Sequence, residues 1–262
     1  MKNESLKVDF YCEEEYQNRV PEPIESSKSF PKWFSELPNL PKHYTFDGNI
    51  YNLKIDESTQ NIKKCPGIQD FLKTGYLIPS WCDFVFREEE SGSLYVNWVE
   101  NYHNKTKYSP HHENQYSTMP NKPLYGHFGK IFTPWIIKTS PGVSCLITHP
   151  VWHNDKRFTT ATGVFHTDVS PMQLPWFFEW NHKIETKMEI ENLDVENQVI
   201  SKGEPIIMIV PFYRKKFSSE VHYISEKEYN GMIASQAHLT HDTVGGKCPY
   251  THFKKTLGKL FS

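Results

Sequence analysis

Between Lys130 and Arg214 the chain runs KIFTPWIIKTSPGVSCLITHP, then TGVFHTDV and LPWFFEW, and ends KGEPIIMIVPFYR. These are apolar or alternating runs cut by Pro and Gly. Alternation with a period of two puts successive side chains on opposite faces of an extended chain, and Pro and Gly supply the turns that reverse it. A stretch of this kind cannot be laid out as amphipathic helix. It predicts a mainly β protein with a jelly-roll or β-clip-like sheet core, a short N-terminal helical arm and a C-terminal helix.

The aromatic content fits that expectation. Aromatics make up 15 % of the 262 residues and include 7 Trp, and flat rings pack well across neighbouring strands. A chain of this length can bury a core without covalent staples. Its five cysteines (Cys12, Cys65, Cys82, Cys145 and Cys248) are odd in number and contain no CxxC pair, so a disulfide framework is not indicated and a reducing compartment is the simpler expectation. With 29 basic and 31 acidic residues, no bulk attraction to nucleic acid or to an anionic membrane is implied. The N-terminal residues lack an apolar leader core, and no apolar run approaches the ~20 residues of a membrane span. The expectation is a soluble, cytoplasmic protein whose partner is a small molecule or another protein, with its oligomeric state open.

In chain order, Leu6 to Tyr11 alternates as a first strand. Residues 19 to 44 hold five prolines, and SFPKWFSEL within them reads as a short helix with Ser29 placed as a cap. Trp33, Phe34 and Leu37 of that arm are expected to cover the core. Pro66 opens a helical turn to Leu72, Gly75 stops it, and a strand follows from Tyr76 to Phe86. LYVNWV pairs back on that strand as a hairpin. The polar stretch 101 to 129 carries His103, His111, His112 and His127. Ser225 and Glu228 form a capping box opening a helix that continues to about His238, with Tyr229, Met232 and Ile233 on its apolar face. The chain thus reads as a single domain: a Pro-rich arm (1–50), a β core (51–224) and a helical tail (225–262).

Several residue groups are suited to chemistry. His166 and Asp168 form an HxD pair whose side chains share a face if the segment is a strand. His222 lies 56 positions further on, where it could add the third ligand of a two-histidine, one-carboxylate site. That set is similar to the Fe(II)/2-oxoglutarate oxygenase constellation, and the resemblance implies Fe(II) as cofactor. Arg214 would pair with a carboxylate co-substrate, although it precedes His222 where that class places its arginine after the distal histidine. His238, His241, Cys248 and His252 carry donors suited to tetrahedral zinc, at spacings that match no standard finger. Trp135, Trp152, Trp176 and Trp180 read as core packing; as an aromatic-lined mouth beside Arg214, they would instead receive a flat or sugar-bearing ligand. No phosphate-binding Gly-rich loop, GxSxG elbow or HExxH helix is present.

Two further resemblances rest on motifs. KKCPGIQDFLKTGYLIP, FTPWIIKTSPGVSCLITHP, TGVFHTDV and KGEPIIMIVPFYR together resemble a family of bacterial and tailed-phage proteins of unassigned activity, which suggests a phage-encoded accessory or particle component. Residues 130–214 are similar in the order of their parts to the dUTPase and dCTP-deaminase β-clip proteins. That likeness implies SPGVS as the serine turn that contacts phosphate, hence Ser144 as a ligand contact, GVFHTD as the hairpin holding base and sugar, and Lys202 to Ile209 as the late strand. His166 stands where those enzymes have the aspartate that orients water, and Asp168 matches only the second acidic position. The three readings carried forward are a small-ligand or partner-binding β protein contacting its ligand through Ser144, Trp135 and Arg214, an oxygenase using His166, Asp168 and His222, and a dUTPase-like nucleotide-binding protein.

Overall fold

The computed structural model describes residues 6–37, 43–46, 49–52, 62–88, 94–98, 108–116, 118, 127–153, 156–181 and 199–232. The chain forms two compact units, one of Met1–Ser29 with Gly75–Lys215 and one of Phe30–Thr74 with Lys216–Ser262. Its strands are, in order, β1 (Val8–Tyr11), β2 (Ile24–Glu25), β3 (His43–Phe46), β4 (Asn49–Asn52), β5 (Tyr76–Pro79), β6 (Phe84–Glu88), β7 (Leu94–Trp98), β8 (Tyr108–Pro110), β9 (His127–Thr139), β10 (Val143–Thr148), β11 (Phe158–Thr160), β12 (Gly163–Phe165), β13 (Met172–Trp180), β14 (Val199–Ile200) and β15 (Pro205–Tyr213). The fold is mainly β, as the alternation requires.

The first unit holds three antiparallel sheets. One has the order β1-β9-β13-β11 with β8 also pairing β9, the second β12-β10-β15-β5-β2, and the third β14-β6-β7. Strand β9 buries alternate residues, with Ile131 and Ile137 fully inside and Trp135 8 % exposed. Leu174, Trp176, Phe178 and Trp180 of β13 are fully buried. Phe86 from the third sheet stacks on Trp180 at 3.9 Å between ring centroids and meets Trp176 and Phe178 edge-on. Each such ring removed from water contributes on the order of 2–3 kcal/mol. Trp135, Trp176 and Trp180 therefore build the core, as the packing reading expects, whereas Trp152 is only half-buried and is not part of it.

A hydroxyl organises the polar part of this core. Thr160 Oγ1 donates to Ile206 O at 2.5 Å and accepts the Trp176 indole N–H at 3.2 Å. It thereby ties β11 to β13 and β15, and it satisfies an indole that has no access to water.

Local readings survive with specific corrections. The helix from Pro66 to Leu72 is present as α2, with proline in its first turn, where the missing N–H is not needed. Helix α1 spans Lys32–Glu36, but Ser29 does not cap it: Pro31 occupies that position, and the Ser29 N–H closes the preceding turn on Ser26 O. The Trp33–Phe34 arm belongs to the second unit, where Phe34 is buried against Phe30 and Trp33. The run Tyr76 to Phe86 is two strands, because the chain leaves the second sheet at Pro79, bends through Ser80 and Cys82 with Ser80 Oγ donating to Cys82 O, and enters the third sheet at Phe84. Residues 108–110 of the polar stretch pair with β9, and His103 lies outside the described residues. The Ser225–Glu228 capping box forms with both reciprocal bonds and starts a helix over residues 226–232. Tyr229 and Met232 on it are exposed, and Ile233 lies outside the described residues. Among those residues no helix is long and apolar enough to cross a membrane.

Candidate functional site

The site forms at one end of the second sheet, where β12, β10 and β15 lie side by side. It begins with the turn Ser140-Pro141-Gly142. Proline presets φ at the second position of the turn, and the third needs a positive φ that glycine supplies, here +81°. Val143 N–H closes the turn on Ser140 O, while Ser140 exchanges two hydrogen bonds with the Lys7 backbone, one through its own N–H and one through its hydroxyl. The turn is thus pinned to the strand entering β1.

Register then decides what meets what. Cys145 pairs with Phe165 and Val143 with Tyr213. One step further, Ser144 lies opposite His166 and Gly142 opposite Arg214. Ser144 Oγ is 2.8 Å from His166 Nδ1, and Arg214 Nη1 donates to the same Oγ at 3.0 Å. Arg214 also grips Asp168 bidentately, through Nη1 to Oδ1 at 2.8 Å and Nη2 to Oδ2 at 2.5 Å. The Gly142 N–H adds a third bond to Oδ2 at 2.8 Å. Parallel N–H···O bonds of this kind fix both direction and distance. The guanidinium hydrogen bonds, followed by the Gly142 N–H, hold the Asp168 carboxyl below the usual carboxylate range against the opposing effect of burial.

A second layer stiffens the first. Thr167 lies between His166 and Asp168 in sequence and is fully buried. Its hydroxyl donates to Thr139 Oγ1 at 2.7 Å, whose own proton goes to Val143 O, and lies 3.6 Å from Cys145 Sγ. Burial pushes the Cys145 thiol up, so it stays protonated and inert. Sequence reasoning did not find this threonine layer, since nothing in its spacing marks it.

Four of the six sequence candidates converge. Ser144 and Arg214, read as ligand contacts, and His166 and Asp168, read as metal ligands, make one cluster. The route differs from the expected one: β12 ends at Phe165, and a turn closed by Val169 N–H on His166 O carries Asp168. His166 and Asp168 therefore do not share a strand face, and they meet through Ser144 and Arg214. Trp135 faces the core, and its indole N–H has no hydrogen-bond partner among the described residues. His222 belongs to the second unit, is exposed, and lies 3.4 Å from Glu220. Among the described residues no three His, Cys, Asp or Glu side chains are grouped to hold a metal. His238, His241, Cys248 and His252 lie outside those residues.

No family model matches the chain, and a search of curated proteins finds no match. Among solved structures, a mutant dUTPase from phage phi11 of S. aureus is similar over 65 % of this chain and 95 % of that one, at 14 % identity and a TM-score of 0.29. So loose a match assigns neither a fold family nor an activity.

Proposed function

We propose that the chain binds a small molecule at the end of the β12-β10-β15 sheet, with His166 and Arg214 as the contacting groups and Ser144 and Asp168 holding them. The observation that carries this reading is the position of Arg214. Its side chain is one-third exposed, yet it is held on its inner edge by Ser144 and Asp168. An arginine fixed on one edge and open on the other is preorganised for a ligand, because little rotamer freedom remains to be lost on binding. His166 is exposed beside it with its inner nitrogen engaged.

Ser144 does not serve as a nucleophile in this reading, since it has no exposed surface. In a nucleotide-hydrolysing reading His166 stands at the position expected for the water-orienting carboxylate, and Asp168 is engaged by Arg214 and Gly142.

The test is thermal unfolding of wild type and His166→Ala against a panel of phosphate-bearing, carboxylate-bearing and neutral small molecules at matched ionic strength. A ligand at 100 times its Kd stabilises by about 2.7 kcal/mol, or roughly 5–10 °C in a chain of this size. Saturable stabilisation lost in His166→Ala supports the site. Stabilisation that persists in the variant would place binding elsewhere, and no response across the panel would remove the reading.

A further inference from the structure

We infer that Ser144 and Arg214 lock His166 in its Nε2–H tautomer, so that the site presents only N–H donors and takes an oxyanion, a carboxylate or phosphate group, in preference to a metal ion. This rests on the reading that the cluster is a small-ligand site, and it specifies the ligand's chemistry.

The donors and acceptors around Ser144 fix the tautomer. A serine hydroxyl has one proton to give and two lone pairs to offer. Among the described residues Ser144 Oγ has two hydrogen-bond partners, the Arg214 guanidinium and His166 Nδ1. A guanidinium can only donate, so it fills a lone pair of Oγ and cannot take the hydroxyl proton. Ser144 is fully buried, and an unpaired O–H there would cost about 1–3 kcal/mol. Its proton therefore goes to Nδ1, which must be the unprotonated nitrogen of the neutral ring. The remaining proton is on Nε2, and this nitrogen belongs to an exposed side chain.

The other members point the same way. A guanidinium carries five N–H donors and Arg214 spends three, two on Asp168 and one on Ser144, which leaves two. Asp168 Oδ2 accepts from Arg214 and Gly142 and Oδ1 from Arg214, which leaves one lone pair on a side chain only 8 % exposed, so the carboxylate offers an incoming cation little. A metal ion would have to displace Ser144 from Nδ1, flip the tautomer to free Nε2, or compete with a guanidinium for Asp168. An oxyanion needs none of these changes.

The experiment is long-range 15N–1H NMR of the His166 ring in mildly alkaline buffer, for wild type, Ser144→Ala and a His166→Ala assignment control. The expected wild-type signature is a pyridine-type Nδ1 and a pyrrole-type Nε2. Ser144→Ala should average the two toward a mixed tautomer while the fold is retained by its other NMR signals. Sodium acetate and inorganic phosphate should shift the Nε2 signal saturably at constant ionic strength, and zinc chloride should not. A pyrrole-type Nδ1 in wild type, or an unchanged tautomer in Ser144→Ala, overturns the lock but leaves the ligand site standing. A locked tautomer with zinc binding at the ring, or with saturable shifts only from neutral molecules, overturns the oxyanion assignment. Absence of a saturable shift from every probe, including those of the thermal panel, overturns the ligand-site reading itself.

Discussion

Removing one hydroxyl should cost far less stability at Ser144 than at Thr160, although both residues are almost completely buried. In Ser144→Ala the two partners keep alternatives. Arg214 Nη1 retains Asp168 Oδ1, and His166, being exposed, can turn its nitrogen to water. The loss is then the net value of the bonds, about 1 kcal/mol and at most ~2, with no stranded group. In Thr160→Val the shape is kept, but the Trp176 indole N–H and Ile206 O lose their partner where neither residue has any exposed surface. Each stranded group costs about 1–3 kcal/mol, so the change should cost roughly 2–5 kcal/mol. At roughly 2–4 °C per kcal/mol, the Thr160→Val midpoint should fall well below that of Ser144→Ala. Urea unfolding followed by tryptophan fluorescence measures both, compared at a common m value. Equal losses in the two variants would refute the reasoning, because the argument depends on where the abandoned partners can turn.

Other expectations follow from the same geometry. Gly75 and Gly203 both have positive φ, +75° and +94°, but a Cβ at Gly75 would come 2.0 Å from Ile209 O, while at Gly203 it meets nothing within 4 Å. Gly203→Ala should therefore cost only the backbone preference, about 1–2 kcal/mol, and Gly75→Ala should in addition break the β5–β15 pairing, giving poor soluble yield or a clearly larger drop in midpoint. Phe86→Ala removes a ring enclosed by Trp176, Phe178 and Trp180 and should cost about 3–5 kcal/mol in chemical unfolding; a loss below ~1.5 kcal/mol would mean the ring stack is not packed as described. The Asp168 carboxyl is held below its unfolded value, so its contribution is complete above the unfolded carboxylate range, about pH 4, and is lost as pH falls through the lowered folded value. The stability gap between wild type and Asp168→Asn should accordingly be flat from neutral pH to about pH 5 and close in more acidic buffer. A gap that widens on acidification would contradict the ion pair.

Much of the local structure is legible in the sequence. Alternation marked β1, β7 and β9, proline and glycine marked the two ends of α2, and the Ser225–Glu228 pair marked a helix start. These signals involve residues within a few positions of one another, where periodicity and capping chemistry act directly. Departures came where a neighbour in space decided. Pro79 ends β5 because the next residues belong to a different sheet, and β8 forms in a polar stretch because β9 offers it an edge.

The site divides along the same line. The sequence by itself determined that Ser144, His166, Asp168 and Arg214 had the chemistry to matter, and it placed a Pro-Gly turn beside the first of them. It assigned them to two different sites, because 22 residues separate Ser144 from His166 and 70 separate it from Arg214. Only the tertiary structure, through the register of β10 against β12 and β15, brought them together and turned Trp135 inward. The physical reason is that strand pairing conserves a sum of positions: once Cys145 faces Phe165 and Val143 faces Tyr213, the next residues on each strand have no choice of partner. A slip of one residue would have sent Ser144 to the opposite face.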